Sequence, residues 1–531
     1  MRLNLSMPTP RSNFSRFVFT AAFALSLTLT SAAQQPPAPQ SQLVPASATA
    51  LSPATLPADV RLQVDEAAKA AVAKSGIPSA SIAIVKDSQI VYAQAYGMAR
   101  LQPPTPALPD MRYSIGSISK QFTATAILML QDEGKLNIDD KISKWLPDLA
   151  RANEVSIRQV LSHTSGYQDY WPEDYVMTAM MQPATPQHIL DTWAKKPLDF
   201  EPGTQWQYSN TNYVIAGRIV EIVTKQDLFV FLQQRVFTPL HMTSVMNQDF
   251  RRLADTDAEG YYRHALGPLR PAPKEGFGWM FAAGELAMTA HDLSLWDIAM
   301  MHEDPRILSK ASWQAMETEV KLKDGKGSMY GLGVQVTNFR GHKMVFHSGE
   351  VSGFVALNLV WPDLDDAFCV LTNLDASGGA GVVSHAVIPL VFPELKPPAK
   401  PAAAPAATPA APPKPEDKAP EPKKEESAAA PDPATTQARD IFIGLQQGKL
   451  DRALLTQSTN DYFTEEAIKD YADSLAPLGA PVKFEEAAKE LRGGMTFHVY
   501  TVTFANGKSV QITTYIEPDG KIEQYLVDPK G

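Results

Sequence analysis

Arg112-Tyr-Ser-Ile-Gly-Ser117-Ile-Ser-Lys120-Gln-Phe-Thr-Ala-Thr-Ala-Ile-Leu-Met-Leu130 is an apolar run that opens on a serine and carries a lysine three residues later. Ile118, Phe122, Ala126 and Leu130 repeat at the helical period, and Ile127, Leu128 and Met129 make the opposite face apolar too. The pattern predicts a helix buried all round, with Gly134 as its C-terminal stop. A spacing of three puts Ser117 and Lys120 one turn apart on the same side. Two readings fit that pair. In the chemical one, a lysine desolvated in apolar surroundings loses proton affinity and serves as base for a serine nucleophile at a helix N-terminus. In the structural one, the serine caps the helix and the lysine lies on a solvated face, and Ser-x-x-Lys alone does not choose between them.

Working outward, a helix is expected from Val60 to Ala73, followed by a hairpin of Ser81–Val85 and Ile90–Tyr96 about the turn-prone Asp87-Ser88. After the Ser117 helix the chain reads as helical and loop-rich to about Ala315. Strand patterns return in Tyr330–Val336, Lys343–His347, Phe354–Trp361 and Ala367–Leu371, and Gly381–Val391 reads as a closing helix. Strands at both ends with helices between them predict an α/β (α+β) domain: one antiparallel sheet built from the two termini, with a helical subdomain inserted. A tract rich in Pro and Ala, interleaved with Lys and Glu, follows as an extended linker at 396–436. Beyond it, helices at Ala438–Gln447 and Thr464–Leu475 precede strands Met495–Phe504, Ser509–Ile516 and Ile522–Val527, with Asn506-Gly507 and Asp519-Gly520 as hairpin turns.

The chain has 531 residues, 44% of them hydrophobic, and a formal charge of −10 that argues against a nucleic-acid partner. Arg11 and Arg16, the apolar run Phe17–Leu29 and Ser31-Ala-Ala33 read as a secretory signal too short to span a bilayer. No cysteine follows that run to take a lipid, so a soluble, secreted or periplasmic protein without a stable membrane anchor is expected. The expected organisation is a signal peptide at 1–33, a flexible spacer at 34–58, a main domain at 59–395, the linker, and a small α+β domain at 437–531. Cys369, the one cysteine, sits in Ala367-Phe-Cys-Val-Leu371 and reads as a core residue. With no Cys pairs and no His-Glu-x-x-His, no metal or other cofactor is expected. His342 and His347, five apart on a probable strand, point to opposite faces.

Two further stretches carry chemistry. In Phe200-Glu-Pro-Gly-Thr-Gln-Trp-Gln-Tyr208-Ser-Asn210-Thr-Asn-Tyr213 a loop can turn Tyr208 and Asn210 into one cavity. A tyrosine of depressed proton affinity there exchanges protons while the amide holds a substrate carbonyl; a turn with a packed tyrosine is the structural alternative. In Val345-Phe-His347-Ser-Gly349-Glu350, glycine at a strand end admits another backbone, and the strand edge offers hydrogen bonds to an extended acyl group. His347 either bears on the Tyr208 proton network or a substrate carboxylate, or is structural.

The ordered occurrence of Ser117-Ile-Ser-Lys120, Tyr208-Ser-Asn210 and His347-Ser-Gly349 resembles the serine β-lactamase-related family, which groups class C β-lactamases with D-alanyl-D-alanine carboxypeptidases, D-aminopeptidases and esterases. Val160-Leu-Ser-His-Thr-Ser-Gly166, Glu201-Pro-Gly203 and Ala283-Gly-Glu-Leu286 extend the resemblance over about Val60 to Pro393. It implies an exported serine hydrolase acting through an acyl-enzyme on an amide, peptide, ester or β-lactam. Ser117 would be the nucleophile, Lys120 and Tyr208 the general base and acid, Asn210 the substrate-orienting group, and His347 with Gly349 the far wall. The N–H groups of Ser117 and Glu350 would form the oxyanion hole. His163 is left to a structural loop. β-Lactamases of this kind carry a lysine at the third motif, so His347 leans the expectation toward the peptidase and esterase branches. Tyr167-Gln-Asp-Tyr170-Trp171 and Gly276-Phe-Gly-Trp279 are candidates for lining the cleft or for packing. The tail resembles the nuclear-transport-factor-2-like group only in element order, and is expected to be an accessory domain. A receptor that binds peptidoglycan or peptide without turnover is the alternative, motivated by the linker and second domain. No prediction of oligomeric state follows.

Overall fold

The computed structural model describes residues 55–375, 377–396 and 432–529. The expected signal segment, nearly all of the spacer and most of the linker lie outside the described residues. No helix among the described residues is long and apolar enough to cross a membrane.

The two ends of the main domain meet in a seven-stranded antiparallel sheet ordered Pro104–Pro106, Gln89–Leu101, Ser79–Lys86, Asp366–Thr372, Phe354–Trp361, His342–Val351 and Gln335–Phe339. Ser79–Lys86 and Asp366–Thr372 are buried along almost their whole length, as their near-continuous apolar sequences require, and pair with Ala80 opposite Thr372 and Val85 opposite Ala367. One sheet face packs under the helices Ala58–Ser75 and Gly379–Val391, around Trp361, Phe368 and Val387. The other packs on the helical region, where Phe122, Trp296 and Trp313 form a buried aromatic cluster. The expected α+β fold with inserted helices is the one observed.

Two differences from the expected elements have clear causes. The strand expected at Tyr330–Val336 begins only at Gln335, because Gly333, at φ 82°, turns the chain across the Ser117 helix. A Cβ on Gly333 would meet the Lys120 carbonyl oxygen at 2.8 Å, so this crossing requires glycine. In the C-terminal part, a four-stranded antiparallel sheet carries an additional long strand, Pro481–Arg492, at its edge beside Met495–Phe504. Its sequence, Pro-Val-Lys-Phe-Glu-Glu-Ala-Ala-Lys-Glu-Leu-Arg, has no strand periodicity and is largely exposed. Its charges suit an edge strand, where they discourage pairing with other chains. Helices Pro433–Gln446, Gln457–Tyr462 and Glu465–Leu475 accompany this sheet, and Phe442, Phe463, Tyr500 and Tyr525 fill its core.

This domain packs directly on the main one. Arg270 pairs with Asp470 and Glu466, each at 2.8 Å. The Tyr175 hydroxyl donates to the Glu523 carbonyl (2.8 Å), and Asp174 exchanges two hydrogen bonds with Gln524 (2.7 and 2.8 Å).

Candidate active site

The short strand Tyr113–Ser114 pairs with Leu286–Met288, and a single 3₁₀ turn, Gly116–Ile118, then delivers the chain into the helix Ser119–Asp132. Gly116 has φ 48°, and a Cβ there would lie 2.7 Å from the Glu350 nitrogen. Glycine therefore allows the Ser117 turn to sit against the His342–Val351 strand, bringing the Ser117 and Glu350 backbones side by side. Gly349 closes the same contact from the other side, since its Cβ would stand 1.9 Å from the Ile115 carbonyl oxygen.

Lys120 is buried one turn after Ser117, as the helical period predicts. Its Nζ lies 3.0 Å from Ser117 Oγ and donates to Asn210 Oδ1 and the Ala283 carbonyl, both at 2.8 Å. Burial pulls its pKa down to about 7, against an upward pull from the Asp169 carboxylate and a further downward push from Arg492. Around neutrality the amine therefore loses its proton readily, and its lone pair has the Ser117 hydroxyl within reach.

Tyr208 lines the cavity with Ser117, and its ring lies tilted against His163 with centroids 4.3 Å apart. The expectation of a depressed tyrosine pKa is corrected: burial pushes the Tyr208 hydroxyl up, a smaller effect of Ser117 notwithstanding. A phenolate would be poorly solvated there, so Tyr208 keeps its proton at neutral pH and is suited to donating it.

Asn210 is also placed differently from the expected loop position. It is the first residue of the helix Asn210–Thr224, and its amide is committed to the protein. Oδ1 accepts from Lys120, while Nδ2 donates to the Trp171 carbonyl at 3.2 Å and to Asp169 Oδ2 at 3.4 Å. The group it orients in this structure is Lys120. Asp169 Oδ1 accepts the Asn210 backbone N–H at 2.8 Å, so a distant carboxylate satisfies the helix start that the Ser209 side chain leaves uncapped.

His347 lies within a strand rather than at its end. The strand's pairing with Gln335–Phe339 stops at Phe346, so its edge turns toward the Ser117 side from His347 onward. Nδ1–H donates to the Ser348 carbonyl, which leaves Nε2 to accept the Tyr330 hydroxyl at 2.8 Å. Burial, reinforced by Lys120, takes the imidazole pKa down to about 3. His347 is thus a neutral wall with both nitrogens engaged, and the expected role as a partner for a substrate carboxylate does not fit it.

Ser117, Tyr208, Asn210, His347 and Glu350 line one cavity of about 300 Å³, together with Tyr170 and Trp171. Gly349 faces the Ile115 turn behind it. Of the two aromatic candidates, the 167–171 loop lines the cleft. Trp279 packs against Tyr170 and Trp193 and donates to the Gln182 carbonyl instead. Sequence reasoning missed Asp169, Tyr330 and Arg492. Arg492 is a C-terminal-domain residue on the cavity wall, and the Gly493-Gly494 pair after it was the available signal of a tight turn. Among the described residues, Asp432, Glu486 and His498 form a group with metal-ligand spacing; none of them lines this cavity, and two are exposed.

Protein flp of Staphylococcus aureus (strain NCTC 8325 / PS 47) is 28% identical over 333 residues, covering 62% of this chain and 66% of the relative. This chain thus matches just under two thirds of that protein's length. Penicillin-binding protein 4* of Bacillus subtilis (strain 168) is 29% identical over 310 residues, covering 55% of this chain and 67% of the relative. Among solved structures, a D-stereospecific amidohydrolase from Streptomyces sp. is 27% identical with a TM-score of 0.54, covering 62% of this chain and 98% of that one. Residues 64–390 match the family described as Beta-lactamase, and over that span, more than half of its length, the chain belongs to the Beta-lactamase family.

Proposed function

We propose that the protein is an exported serine hydrolase that acylates Ser117 with an amide, peptide or ester substrate, nearer to the carboxypeptidase, aminopeptidase and esterase branches than to dedicated β-lactamases. The observation that carries this reading is the buried Lys120 amine, 3.0 Å from Ser117 Oγ with its pKa near 7. Ser117 Oγ attacks the acyl carbon as its proton passes to Lys120. The carbonyl oxygen gains negative charge facing the Ser117 and Glu350 N–H groups, and the leaving nitrogen or oxygen departs with a proton from Tyr208. The Lys120 proton then passes to Tyr208, which restores both groups; the neutral amine takes a proton from the water that attacks the ester, and Ser117 Oγ recovers that proton as the acid leaves. The neutral His347 disfavours the fixed-cation recognition of a β-lactam carboxylate, and the relation to penicillin-binding protein 4* and a D-stereospecific amidohydrolase supports an acyl donor of the D-amino-acid type. Export rests on the leader-like residues 1–33.

Only the neutral amine can take the Ser117 proton. Acylation should therefore rise with pH through about 7, the value set by burial of Lys120, and level off above it. A pH–kcat/KM profile without an acid limb in that region would count against Lys120 as base. The reading itself is tested by a side-by-side hydrolysis panel of nitrocefin, p-nitrophenyl esters and D-amino-acid amides, with intact-mass detection of the adduct. Turnover of the amide or ester arm is expected. Binding with neither adduct nor product would favour a receptor.

A further inference from the structure

The hairpin of Pro481–Arg492 and Met495–Phe504 ends in Gly493 and Gly494, both at positive φ (62° and 80°). This tip is pressed against the loop that carries Asp169. A Cβ on Gly493 would lie 3.1 Å from Pro172 Cγ, one on Gly494 would lie 3.3 Å from the Gln168 amide, and Gln207 Nε2 donates to the Leu491 carbonyl at 2.6 Å. The turn thereby puts Arg492 into the wall of the Ser117 cavity. Its Nη2 donates to Asp169 Oδ2 at 3.1 Å, Nη1 donates to the Tyr515 hydroxyl at 3.1 Å, and the guanidinium lies 5.8 Å from the Tyr208 ring centroid.

From the guanidinium a continuous series of hydrogen bonds runs to the nucleophile: Arg492 to Asp169, Asp169 to Asn210, Asn210 to Lys120, Lys120 to Ser117. We infer that the C-terminal domain is a working part of the hydrolase site, with Arg492 as a positioning residue that holds Asp169 and, through Asn210, sets the place and charge of Lys120. The inference rests on the serine hydrolase reading above. It replaces the expectation of a merely accessory domain.

Electrostatics agree with the geometry. The groups facing Lys120 are Ser117 on its own turn, Tyr208 and Tyr213, His163, His347, and the Asp169–Arg492 pair. Burial holds both histidines neutral and pushes both tyrosines up, which leaves the Asp169–Arg492 ion pair as the charge acting on Lys120. Asp169 raises the proton affinity of Lys120 and Arg492 lowers it. The Asp169 side chain is fully buried, and without its cation that charge would act on Lys120 undiminished.

The test uses the full chain. Arg492→Gln should move the acid limb of kcat/KM upward by about one pH unit, so that kcat at pH 7 falls about fivefold while KM changes little. Arg492→Lys, which retains the charge, should return the limb most of the way. The Arg270–Asp470, Tyr175–Glu523 and Asp174–Gln524 contacts remain to hold the domains together in both variants. A lowered melting temperature with limb and kcat unmoved would make Arg492 an interdomain fastener and overturn the inference. If Arg492→Gln does not fold, Tyr515→Phe removes the Nη1 hydrogen bond without removing charge. A severalfold loss in kcat is then expected, and an unchanged kcat overturns the inference. If the parent protein turns over no acyl donor, the hydrolase reading fails separately. The Lys120 titration is then read from pH-dependent amine labelling located by peptide mass, and equal midpoints in parent and Arg492→Gln would overturn the inference.

Discussion

Ser117→Ala is expected to abolish the acyl adduct and to lower kcat/KM on the best substrate by at least about 10⁴-fold, because Ser117 Oγ is the hydroxyl that Lys120 Nζ contacts at 3.0 Å. Tyr208, the nearest alternative, is held protonated by its burial. The fold should be unaffected: a buried Lys120 that loses its Ser117 contact keeps Asn210 Oδ1 and the Ala283 carbonyl as acceptors. The serine and lysine act as one unit, so Ser117→Ala combined with Lys120→Met should be little worse than Ser117→Ala alone. Intact mass after incubation with an activated ester checks the adduct, and progress curves check the rates. A Ser117→Ala protein that still acquires the acyl mass would move the nucleophile elsewhere.

Gly349→Ala is expected to cost about 3 kcal/mol of stability and at least tenfold in kcat. The added methyl would overlap the Ile115 carbonyl oxygen, a backbone atom that cannot rotate away, in a strand whose register sets Gly349 opposite Ala356. Either the strand or the Ile115–Ser117 turn has to move, and both carry the site. Gly381→Ala supplies the control. A Cβ on Gly381 meets nothing within 4 Å and lies within a helix, so the change should be neutral or stabilising by up to about 1 kcal/mol. Denaturant midpoints for the two variants compare directly, and equal midpoints would refute the close approach.

What the sequence disclosed follows the range of the forces involved. The Ser117 helix, the hairpin about Asp87-Ser88 and the strand Phe354–Trp361 are written in local periodicity, and the three motifs were legible because each keeps its chemistry within a few residues. Pro481–Arg492 was not legible, since a Lys- and Glu-rich edge strand is made by its neighbour rather than by its own pattern. The behaviour of Tyr208 was misread for a related reason. Its proton affinity is set by burial beside His163, which arrives from another part of the chain. Asp169 stood in a quoted loop, but its partners, Asn210 and Arg492, become neighbours only after folding.

The pairing of the first strand with the last has a consequence for how the chain must be made. Ser79 donates to Asn373 Oδ1, 294 residues away, and Ala80 sits opposite Thr372. Until synthesis reaches that point, the almost wholly buried strand Ser79–Lys86 has one side unpartnered, an apolar edge open to other chains. Contacts of such separation are slow to form, and the nascent domain has to wait for them. A product ending before Asp366 should therefore aggregate rather than persist as a smaller soluble protein. Pelleting of that truncation, beside a soluble chain ending at residue 396, would show that the sheet is completed only after its last strand emerges.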